Sequence, residues 1–470
     1  MNSPGVPPSA PPSAPPPSTP TAADSAPVML RARRSPPLRG VCRVPGDKSI
    51  SHRALLFGAL CDGVVDIDGL GRGGDNVSTA RALSALGVSI EISGARARVA
   101  GVGLDGFRAS ATPLDCGNSG TTIRLLTGLL AGQPFETTLI GDASLTRRPM
   151  RRLAAPLREM GATIDGRADA ARPDEIYPPL RIRGGRLRGI QTALPVASAQ
   201  LKSALVLAGL QAEGPTEITE PGLSRDHTER MLRFLGAPLT SEPERRLVRI
   251  DPVGWNKRLR ACALTVPGDL SSAAFILVAA LIVPGSDVTI EGVGLNPTRA
   301  GIVDALVAMG ADVRAQVTGD AMGEPVGTLH VRASRLRGAR IAGALALRSI
   351  DEIPALAIAA ALAEGDTVFS DLRELRVKES DRIAALAREL GRAGVGVVEH
   401  PDGLVISGVG GDLSKLGGGV VQPMHDHRIA MAGAILGLVA GDETSTEAAE
   451  IATSFPSFGD TLRALGASLS

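Results

Sequence analysis

The chain of 470 residues is long enough for two or more domains, and its net charge of +1 lacks the basic excess of a general nucleic-acid or membrane-surface binder. Only 2% of its residues are aromatic, which leaves few side chains for stacking on bases. The longest strictly apolar run, Ala273 to Val283, is well short of the roughly 20 residues that a membrane-spanning helix needs. We therefore expect a soluble protein with no nucleic-acid or membrane partner.

The N-terminal segment, residues 1–28, consists mainly of Pro, Ser and Ala and has almost no large apolar side chains. Such a composition cannot bury enough surface to fold, so we predict a disordered tail. It lacks the basic start and apolar centre of a secretory signal. An organelle transit peptide is an alternative, because acidic residues are few and Arg31, Arg33 and Arg34 follow, but we expect a cytoplasmic location.

The first structured stretch, Val44 to Arg53, reads VPGDKSISHR and predicts a helix start. Gly46 permits a tight turn, Asp47 is a typical helix cap, and the apolar run Ala54 to Leu60 continues the helix. Helix N-termini offer unpaired N–H groups and the positive end of the helix dipole, to which this stretch adds Lys and Arg. The decapeptide alone fits an anion site and a capped surface helix equally well. Its spacing excludes a P-loop.

The pattern of this stretch recurs along the chain as a polar turn, a helix of small apolar residues, a strand, and an amphipathic helix that ends at a glycine. Six such units follow with a period of about 75 residues, far longer than a solenoid repeat. A glycine after each second helix supplies a left-handed cap. The first helices are predicted to begin near Lys48, Asn118, Ser198, Asp269, Asp351 and His425, and the second to close at Gly87, Gly161, Gly236, Gly310, Gly391 or Gly394, and Gly466.

Six units can group three and three into two lobes with a cleft between them. A boundary near Val266 to Asp269 places units one to three in residues 46–265. Units four to six then occupy residues 266–470, and residues 29–45 join that second lobe.

The four cysteines, Cys42, Cys61, Cys116 and Cys262, show no paired spacing. This distribution favours a reducing compartment over a disulfide framework or a zinc site. We predict each cysteine to be a small buried apolar residue.

Polar residues outside ordinary surface faces cluster at equivalent helix starts. If those helix starts face the cleft, cationic side chains and N–H donors surround a few carboxylates, an arrangement that suits a polyanionic substrate pair and proton transfer. The clusters comprise Lys48, Ser49 and Arg53; Asn118, Ser119, Gly120, Thr121 and Arg124 with Arg147 and Arg148; Ser198, Gln200 and Lys202 with Ser224 and Arg225; Asp351 and Glu352 with Lys378, Glu379 and Arg382; and His425, Asp426, His427 and Arg428.

Three of these clusters also have simpler interpretations. The HDHR sequence at His425 is compatible with zinc, although Arg428 beside it would repel a cation. The VKESDR sequence is compatible with a solvated helix face in which Glu379 pairs with Arg382. GNSGTTIR is compatible with a capped buried helix, in which Arg124 would need a partner.

Taken together, the chain resembles the enolpyruvyl transferase family, in particular the branch whose acceptor is shikimate 3-phosphate. The resemblance runs from about Ser35 to the C-terminus. It rests on these motifs, in order: VPGDKSISHR, GNSGTTIRLL, LTRRPM, ASAQLKSALVLAGL, SRDHTERML, IDEIPALAIAAA, LRVKESDR and DHRIAMAGAI.

The resemblance implies a two-lobed inside-out α/β barrel, each lobe built of three βαβαββ repeats, that closes on its ligands. It implies transfer of the enolpyruvyl (carboxyvinyl) group of phosphoenolpyruvate to the 5-hydroxyl of shikimate 3-phosphate. Phosphate leaves by addition and elimination through a tetrahedral intermediate, in chorismate and aromatic amino acid biosynthesis. The family needs no metal or organic cofactor, and its usual state is a monomer.

The resemblance also implies substrate-binding roles. Lys48 would contact both substrates, and Gln200 would lie between them. Shikimate 3-phosphate would be held by Ser49, Arg53, Ser198 and Lys378, with Ala199 and Arg225 beside it. Phosphoenolpyruvate would be held through its phosphate by Arg148, through its carboxylate by Arg382 and Arg428, and in its pocket by Asn118, Gly120 and His427.

Three residues would carry the chemistry. Asp351 would take the proton from the 5-hydroxyl as that oxygen attacks C2 of phosphoenolpyruvate. Glu379 would give a proton to C3, assisted by Lys48. Cationic neighbours would hold phosphate and carboxylate in place around an oxocarbenium-like state.

Two positions depart from the best-known members. Ala199 stands where many have a second Ser, and Arg225 is a candidate for the lost phosphate contact. Many also have Lys before Thr-Phe-Pro near the C-terminus, where this chain has Thr453 and Ser454. The phosphoenolpyruvate site would then lack one cation. These departures are typical of a bacterial subgroup.

Family members are targets of glyphosate, which occupies the phosphoenolpyruvate site. Gly120 matches the position where Ala crowds the inhibitor in tolerant members. We therefore predict that glyphosate inhibits this enzyme and that Gly120→Ala weakens the inhibition.

Two alternative functions remain to be weighed. The sister branch transfers enolpyruvyl to UDP-N-acetylglucosamine, with a Lys-Asn pair at the first helix and a reactive Cys in a first-lobe loop. Here the pair is Lys48-Ser49, and the loop from Asp142 to Arg152 has no Cys. The other alternative is a non-catalytic repeat scaffold, which would have no reason to combine Lys48, Asp351, Glu379 and Arg428.

Overall fold

The computed structural model describes residues 28–470 as a mixed α/β protein. The predicted disordered tail falls outside the described residues except for Val28, which directly precedes the first strand. Within the described range, no helix is both long and apolar enough to cross a bilayer.

Fourteen α-helices lie within residues 28–470, and the predicted first helices all start within two residues of the expected positions. The helices are α1 (Lys48–Leu60), α2 (Gly74–Ala85), α3 (Gly120–Leu130), α4 (Arg151–Met160), α5 (Ala199–Gly209), α6 (His227–Phe234), α7 (Leu270–Ile282), α8 (Gly301–Ala308), α9 (Gly343–Arg348), α10 (Ile353–Leu362), α11 (Arg382–Arg392), α12 (His427–Gly437), α13 (Ala448–Ala452) and α14 (Phe458–Ala464).

The strands form mostly where β-branched residues alternate with polar ones. They are β1 (Met29–Ala32), β2 (Arg39–Arg43), β3 (Asp62–Asp68), β4 (Ser89–Ser93), β5 (Arg96–Val102), β6 (Leu114–Asp115), β7 (Glu136–Ile140), β8 (Thr163–Asp169), β9 (Arg172–Arg183), β10 (Leu187–Arg188), β11 (Gln191–Ala193), β12 (Ala212–Glu213), β13 (Thr216–Thr219), β14 (Leu239–Glu242), β15 (Leu247–Ile250), β16 (Leu264–Thr265), β17 (Asp287–Gly294), β18 (Asp312–Ala321), β19 (Glu324–Arg332), β20 (Arg340–Ile341), β21 (Glu364–Phe369), β22 (Gly396–His400), β23 (Gly403–Val409), β24 (Gly419–Val420) and β25 (Thr444–Glu447).

Five sheets of the described chain have four strands and the same pairing pattern. In three of them, the first strand is parallel to the second, and the second and fourth are antiparallel to the third. The same holds in the other two. Their strand orders are β16-β3-β5-β4, β6-β7-β9-β8, β11-β13-β15-β14, β2-β17-β19-β18 and β20-β21-β23-β22, and two smaller sheets have the orders β1-β25-β24 and β10-β12.

The buried apolar residues of the described chain form two clusters. The first core contains residues between Ile50 and Val266, with Met322. The second core combines segment 30–38 with residues between Leu270 and Leu469. Helix α7 lies at the centre of the second core, and all of its residues are buried because its sequence is apolar on every side.

Two strands are exchanged where the chain passes between the cores. Strand β2 leads directly into α1 of the first core but pairs in parallel with β17 of the second. Strand β16 leads into α7 of the second core but pairs in parallel with β3 of the first. The segments 44–47 and 266–269 are therefore crossovers, and each ends at a helix start.

The predicted closing glycines adopt positive φ angles, which only glycine tolerates without strain. Of the two alternatives in the fifth unit, Gly394 has the left-handed conformation, with φ at 90°, whereas Gly391 remains inside α11. The positive-φ glycines are Gly87, Gly161, Gly236, Gly310, Gly394 and Gly466.

All four cysteines are free thiols, as the spacing predicted. Cys61 and Cys116 are buried, which confirms the prediction for those two. The prediction is wrong for Cys42 and Cys262, which are only partly buried. Cys42 lies on β2, the edge strand of its sheet, and Cys262 lies just before β16, so neither faces the middle of a core.

Candidate active site

Side chains cap the helix starts that carry the candidate site. Asp47 accepts a backbone N–H of α1 at 2.9 Å, as predicted. Ser119 accepts an N–H of α3 at 3.1 Å, and Asp426 accepts one of α12 at 3.0 Å. Ser198 caps α5 in the same way. These caps hold each helix start in place.

Lys48 lies at the start of α1 and pairs with a carboxylate that the sequence did not single out. Its Nζ is 3.1 Å from Oδ2 of Asp75, and its carbonyl accepts from Asn76 at 3.0 Å. Burial disfavours the charged ammonium, yet Asp75 and Glu379 together hold the pKa of Lys48 above its ordinary value. Lys48 is therefore charged, and the carboxylates of Asp75 and Glu379 both stabilise that charge.

Arg53 is buried one turn after Ser49, whose carbonyl accepts from its Nη1 at 2.9 Å. Its Nε donates to Thr228 at 2.7 Å and its Nη2 to Ser203 at 2.7 Å. Burial, more than any neighbouring charge, lowers the pKa of Arg53 to about 10. The VPGDKSISHR stretch is thus not a surface helix with solvated charges.

The start of α3 meets two arginines. Arg148 Nη2 donates to Asn118 Oδ1 at 2.7 Å, and Arg124 Nη1 donates to Gln200 Oε1 at 2.8 Å. A Cβ on Gly120 would lie 2.6 Å from Nη1 of Arg124 and 2.8 Å from Nη1 of Arg148. Burial and the charge of Arg148 lower the pKa of Arg124 to about 10. Two guanidinium groups this close together favour an anion beside Gly120.

The start of α5 adjoins this corner. Gln200 Nε2 donates to Thr121 at 2.9 Å, so its amide is held between Thr121 and Arg124. Ser198 is partly exposed and Ala199 follows it without a polar side chain. Gln200 is thus the link between the start of α5 and the start of α3.

Asp351 is surrounded by cations from both cores. Its Oδ2 is 2.6 Å from Arg225 Nη2, and its Oδ1 is 3.4 Å from both Lys378 Nζ and Arg382 Nη1. Burial disfavours the charged carboxylate, but Lys378, Arg225 and Arg428 hold its pKa well below the ordinary range. Asp351 is therefore an ionised carboxylate.

Glu379 pairs with Arg382 at 2.8 Å, the spacing that the sequence suggested. The solvated-face interpretation is wrong, because the side chain of Arg382 is only 1% exposed and also donates to Asp426 at 2.7 Å. Burial opposes ionisation of Glu379, but Arg382, Arg148 and Lys48 hold its pKa well below the ordinary range.

The two histidines of HDHR do not converge. His425 is exposed and pairs with Glu450 at 2.9 Å, whereas His427 is buried. No group of three or more metal-binding side chains occurs anywhere in residues 28–470, so the zinc interpretation is wrong for this motif. Burial and the charge of Lys48 lower the pKa of His427 to about 3, which leaves its imidazole neutral.

The C-terminal segment approaches the site without a cation. The carbonyl of Thr453 accepts from the N–H of Gly74 at 3.1 Å, next to Asp75, and Ser454 follows with a buried hydroxyl. Phe455 is fully buried and anchors the segment.

Several contributors had no assigned role in the sequence. Asp75 stands in the first turn of α2, so its position at a helix start was the available signal. Asp426 was noted in its cluster but not as a partner of Arg382. Arg124 was noted as needing a partner, which the structure supplies in Gln200. Ser203 lies in the buried apolar helix α5 and Thr228 in the first turn of α6, and the sequence assigned a role to neither.

Fold and site together define an α/β protein that gathers guanidinium, ammonium and carboxylate groups at helix N-termini. A family model described as EPSP synthase (3-phosphoshikimate 1-carboxyvinyltransferase) matches residues 32–462. The chain belongs to this family.

Relatives named 3-phosphoshikimate 1-carboxyvinyltransferase match nearly the whole chain. The one from Citrifermentans bemidjiense is 51% identical over 422 residues, which cover 90% of this chain and 95% of the relative. The one from Xanthomonas campestris pv. campestris strain B100 is 50% identical over 442 residues, covering 93% and 97%. A solved structure of EPSP synthase from Acinetobacter baumannii has a TM-score of 0.82 at 42% identity and covers 94% of this chain and 99% of its own.

Proposed function

We propose that this protein transfers the enolpyruvyl group of phosphoenolpyruvate to the 5-hydroxyl of shikimate 3-phosphate, releasing phosphate, in aromatic amino acid biosynthesis. The relatives carry the name of this activity. The observation that carries the proposal is the position of Asp351, which contacts Arg225, Lys378 and Arg382, the last of which also pairs with Glu379.

The proposed architecture is a two-lobed inside-out α/β barrel with three βαβαββ repeats in each lobe. Five sheets with one pairing pattern, two cores and a left-handed glycine after each amphipathic helix support it. We propose residues 46–265 as one lobe and residues 29–45 with 266–470 as the other. The pairing of β2 with β17 supports assigning the N-terminal segment to the second lobe.

Shikimate 3-phosphate is proposed to bind near Asp351. The cations that would face its phosphate and carboxylate lie around that aspartate or at the start of α1. Ala199 has no polar side chain, so Arg225 would make the phosphate contact on that side. The residues proposed to hold shikimate 3-phosphate are Lys48, Ser49, Arg53, Ser198, Gln200, Arg225 and Lys378.

Phosphoenolpyruvate is proposed to bind between Gly120 and Arg428. Arg148 would hold its phosphate, with Arg124 as a second guanidinium where the lysine of other members is absent. Both face Gly120, and Arg148 Nε is buried without a partner among residues 28–470. Arg382 and Arg428 would hold the carboxylate, and Asn118 and His427 would complete the pocket.

The chemistry divides between the two carboxylates and Lys48. Asp351 is ionised in the free protein and is therefore able to accept the 5-hydroxyl proton. Glu379 is also ionised, because Arg382, Arg148 and Lys48 lower its pKa against the effect of burial. Bound phosphoenolpyruvate would bring negative charge next to those cations and so raise the pKa of Glu379. Glu379 would then take up a proton as the substrate binds and deliver it to C3. Lys48 would assist as a second donor.

The family resemblance extends the proposal to a monomer that needs no cofactor and works in the cytoplasm. The sister reaction with UDP-N-acetylglucosamine is disfavoured because the loop from Asp142 to Arg152 has no Cys, and because burial raises the pKa of the Cys61 and Cys116 thiols to about 12.

The test is phosphate release from phosphoenolpyruvate with each acceptor in turn. We expect release with shikimate 3-phosphate and none with UDP-N-acetylglucosamine. Release with the sugar nucleotide alone would assign the chain to the sister reaction. Release with neither acceptor would favour a non-catalytic scaffold.

A further inference from the structure

The two crossovers carry the same four residues. Segment 44–47 and segment 266–269 both read VPGD, and each aspartate caps the helix that follows, α1 or α7. The backbones pair with each other: the N–H of Asp47 donates to the carbonyl of Pro267, and that of Asp269 to Pro45, both at 2.8 Å. The two places where the chain changes core are thus one junction.

A single buried guanidinium lies between the two capping aspartates. Arg299 Nη2 is 2.5 Å from Oδ1 of Asp269 and 3.3 Å from Oδ2 of Asp47. The side chain of Arg299 is 3% exposed, and those of the aspartates are 8% and 2% exposed. Because water cannot screen these charges, the guanidinium fixes the two carboxylates relative to each other.

The same guanidinium connects the junction to the second-core side of the site. Arg299 Nη2 also donates to Ser271 at 2.9 Å, and Ser271 in turn donates to a buried oxygen of Glu352. Glu352 lies 4.0 Å from Arg428, which donates to the carbonyl of Asp351 at 2.5 Å.

On the first-core side, the segment that contains Arg299 contacts residues that are adjacent in sequence to site residues. Asp47 directly precedes Lys48. Asn296, three residues before Arg299, donates to Asp226 at 2.7 Å, and Asp226 directly follows Arg225. The segment 296–299 therefore contacts Asp47 and Asp226, which are the chain neighbours of Lys48 and Arg225.

We propose that Arg299 is a positioning residue that sets the first-core side of the active site against the second-core side. It acts through Asp47 on Lys48 and through Ser271 and Glu352 on Arg428 and Asp351, and it contacts neither substrate. The inference rests on the proposed function, since it concerns the alignment of that site.

The test separates alignment from simple charge balance. Arg299→Gln leaves two buried carboxylates without their counter-charge, whereas the double variant Asp269→Asn with Arg299→Gln removes one charge of each sign and keeps a capping residue on α7. Arg299→Lys keeps the charge, but its ammonium ends a shorter side chain and does not reach the position of Nη2, the nitrogen that contacts Asp47, Asp269 and Ser271. Arg249→Gln is the matched control, because Arg249 also contacts two carboxylates, Glu217 at 2.9 Å and Asp251 at 3.1 Å, but on the exposed surface of the first core.

Melting temperature, kcat and both KM values would be measured for all forms with phosphoenolpyruvate and shikimate 3-phosphate. We expect the double variant to recover most of the melting temperature lost in Arg299→Gln while its kcat stays on the order of 100-fold below wild type, the loss typical of a small misplacement of catalytic groups. Arg299→Lys should also keep a low kcat, and Arg249→Gln should match wild type.

Wild-type kcat in the double variant or in Arg299→Lys would overturn the proposal, because a counter-charge alone would then suffice. Failure of both forms to fold would also overturn it, since the role would be structural. An inactive wild-type protein would instead contradict the proposed function.

Discussion

At Asp351, neighbouring cations decide the state of a single carboxylate. Burial disfavours its charge, yet Lys378 and Arg225 keep its pKa well below the ordinary range. An acid so strongly paired is a weak base in the free protein. In the proposed binding mode, the phosphate of shikimate 3-phosphate attracts Arg225 and Lys378, so that Asp351 becomes more basic as the substrate binds.

Gly120 lies beside two guanidinium groups in the proposed phosphoenolpyruvate site, which glyphosate would also occupy. A Cβ there would be 2.6 Å from Arg124 Nη1 and 2.8 Å from Arg148 Nη1, so the Gly120→Ala side chain displaces at least one guanidinium. We expect the inhibition constant for glyphosate to rise at least about tenfold, with a smaller rise in KM for phosphoenolpyruvate, because a pocket crowded by one methyl group discriminates by roughly that factor.

The control is Gly185→Ala, where a Cβ has no atom within 4 Å. Inhibition constants would be measured at fixed shikimate 3-phosphate for all three proteins. Equal constants for wild type and Gly120→Ala would contradict the predicted crowding.

At the scale of elements, the site depends on how α1 packs against its neighbours. His52, within the motif at the start of α1, is 1% exposed, and its Nδ1 lies 2.6 Å from Thr79 Oγ1 on α2. Burial lowers the pKa of His52 to about 3. This histidine joins two helices as a neutral group rather than binding an anion.

That neutral histidine makes stability depend on pH. In the unfolded chain His52 takes up a proton near its ordinary pKa of 6.5, whereas in the folded protein it stays neutral down to about 3. The unfolded state therefore binds more protons between these values, and stability falls as pH falls below 6.5. Lowering the pH from about 7 to about 5 should cost about 2 kcal/mol through this residue.

The measurement is the free energy of urea unfolding at the two pH values. His52→Gln should lose about 2 kcal/mol less than wild type on acidification. His400→Gln, an exposed site on β22, should behave like wild type. An identical pH dependence for wild type and His52→Gln would show that this histidine is not held neutral.

Helices α5 and α6 are joined by a buried ion cluster. Lys202 Nζ lies 2.7 Å from Glu220 and 2.7 Å from Glu229, and these side chains are at most 3% exposed. Lys202→Met would leave the two carboxylates buried without a counter-charge. We expect the free energy of unfolding to fall by about 3–5 kcal/mol.

Lys415→Met is the matched control, because Lys415 pairs with Asp412 at 3.5 Å on the surface and such pairs contribute less than about 1 kcal/mol. The free energy of urea unfolding would be measured for wild type and both variants. A loss in Lys202→Met no larger than in the control would contradict the importance of the cluster.

At the scale of the whole molecule, helix starts and closing glycines followed from sequence because they are local features. A cap, a dipole and a positive-φ glycine depend on a few neighbouring residues. The capping role of Asp47 and the left-handed conformation of Gly161 could therefore be predicted from the sequence. The motif resemblance identified the family and nominated Asp351 and Glu379.

Pairings between distant segments could not be predicted in the same way. Arg299 bridging the two crossovers and Asp75 pairing with Lys48 depend on contacts between residues far apart in the chain. The partial exposure of Cys42 depends on its strand lying at a sheet edge, which composition does not reveal. The repeated VPGD was visible in the sequence, but its meaning required the pairing of the crossovers.

The measurement that tests the central claim most directly is phosphate release from phosphoenolpyruvate and shikimate 3-phosphate by Asp351→Asn, which keeps the shape of the side chain and removes its charge. We expect kcat to fall by about 100-fold or more, the usual contribution of a general base, while Asp366→Asn, an exposed strand residue, keeps the wild-type rate. A wild-type rate in Asp351→Asn would contradict the assignment of Asp351 as the base.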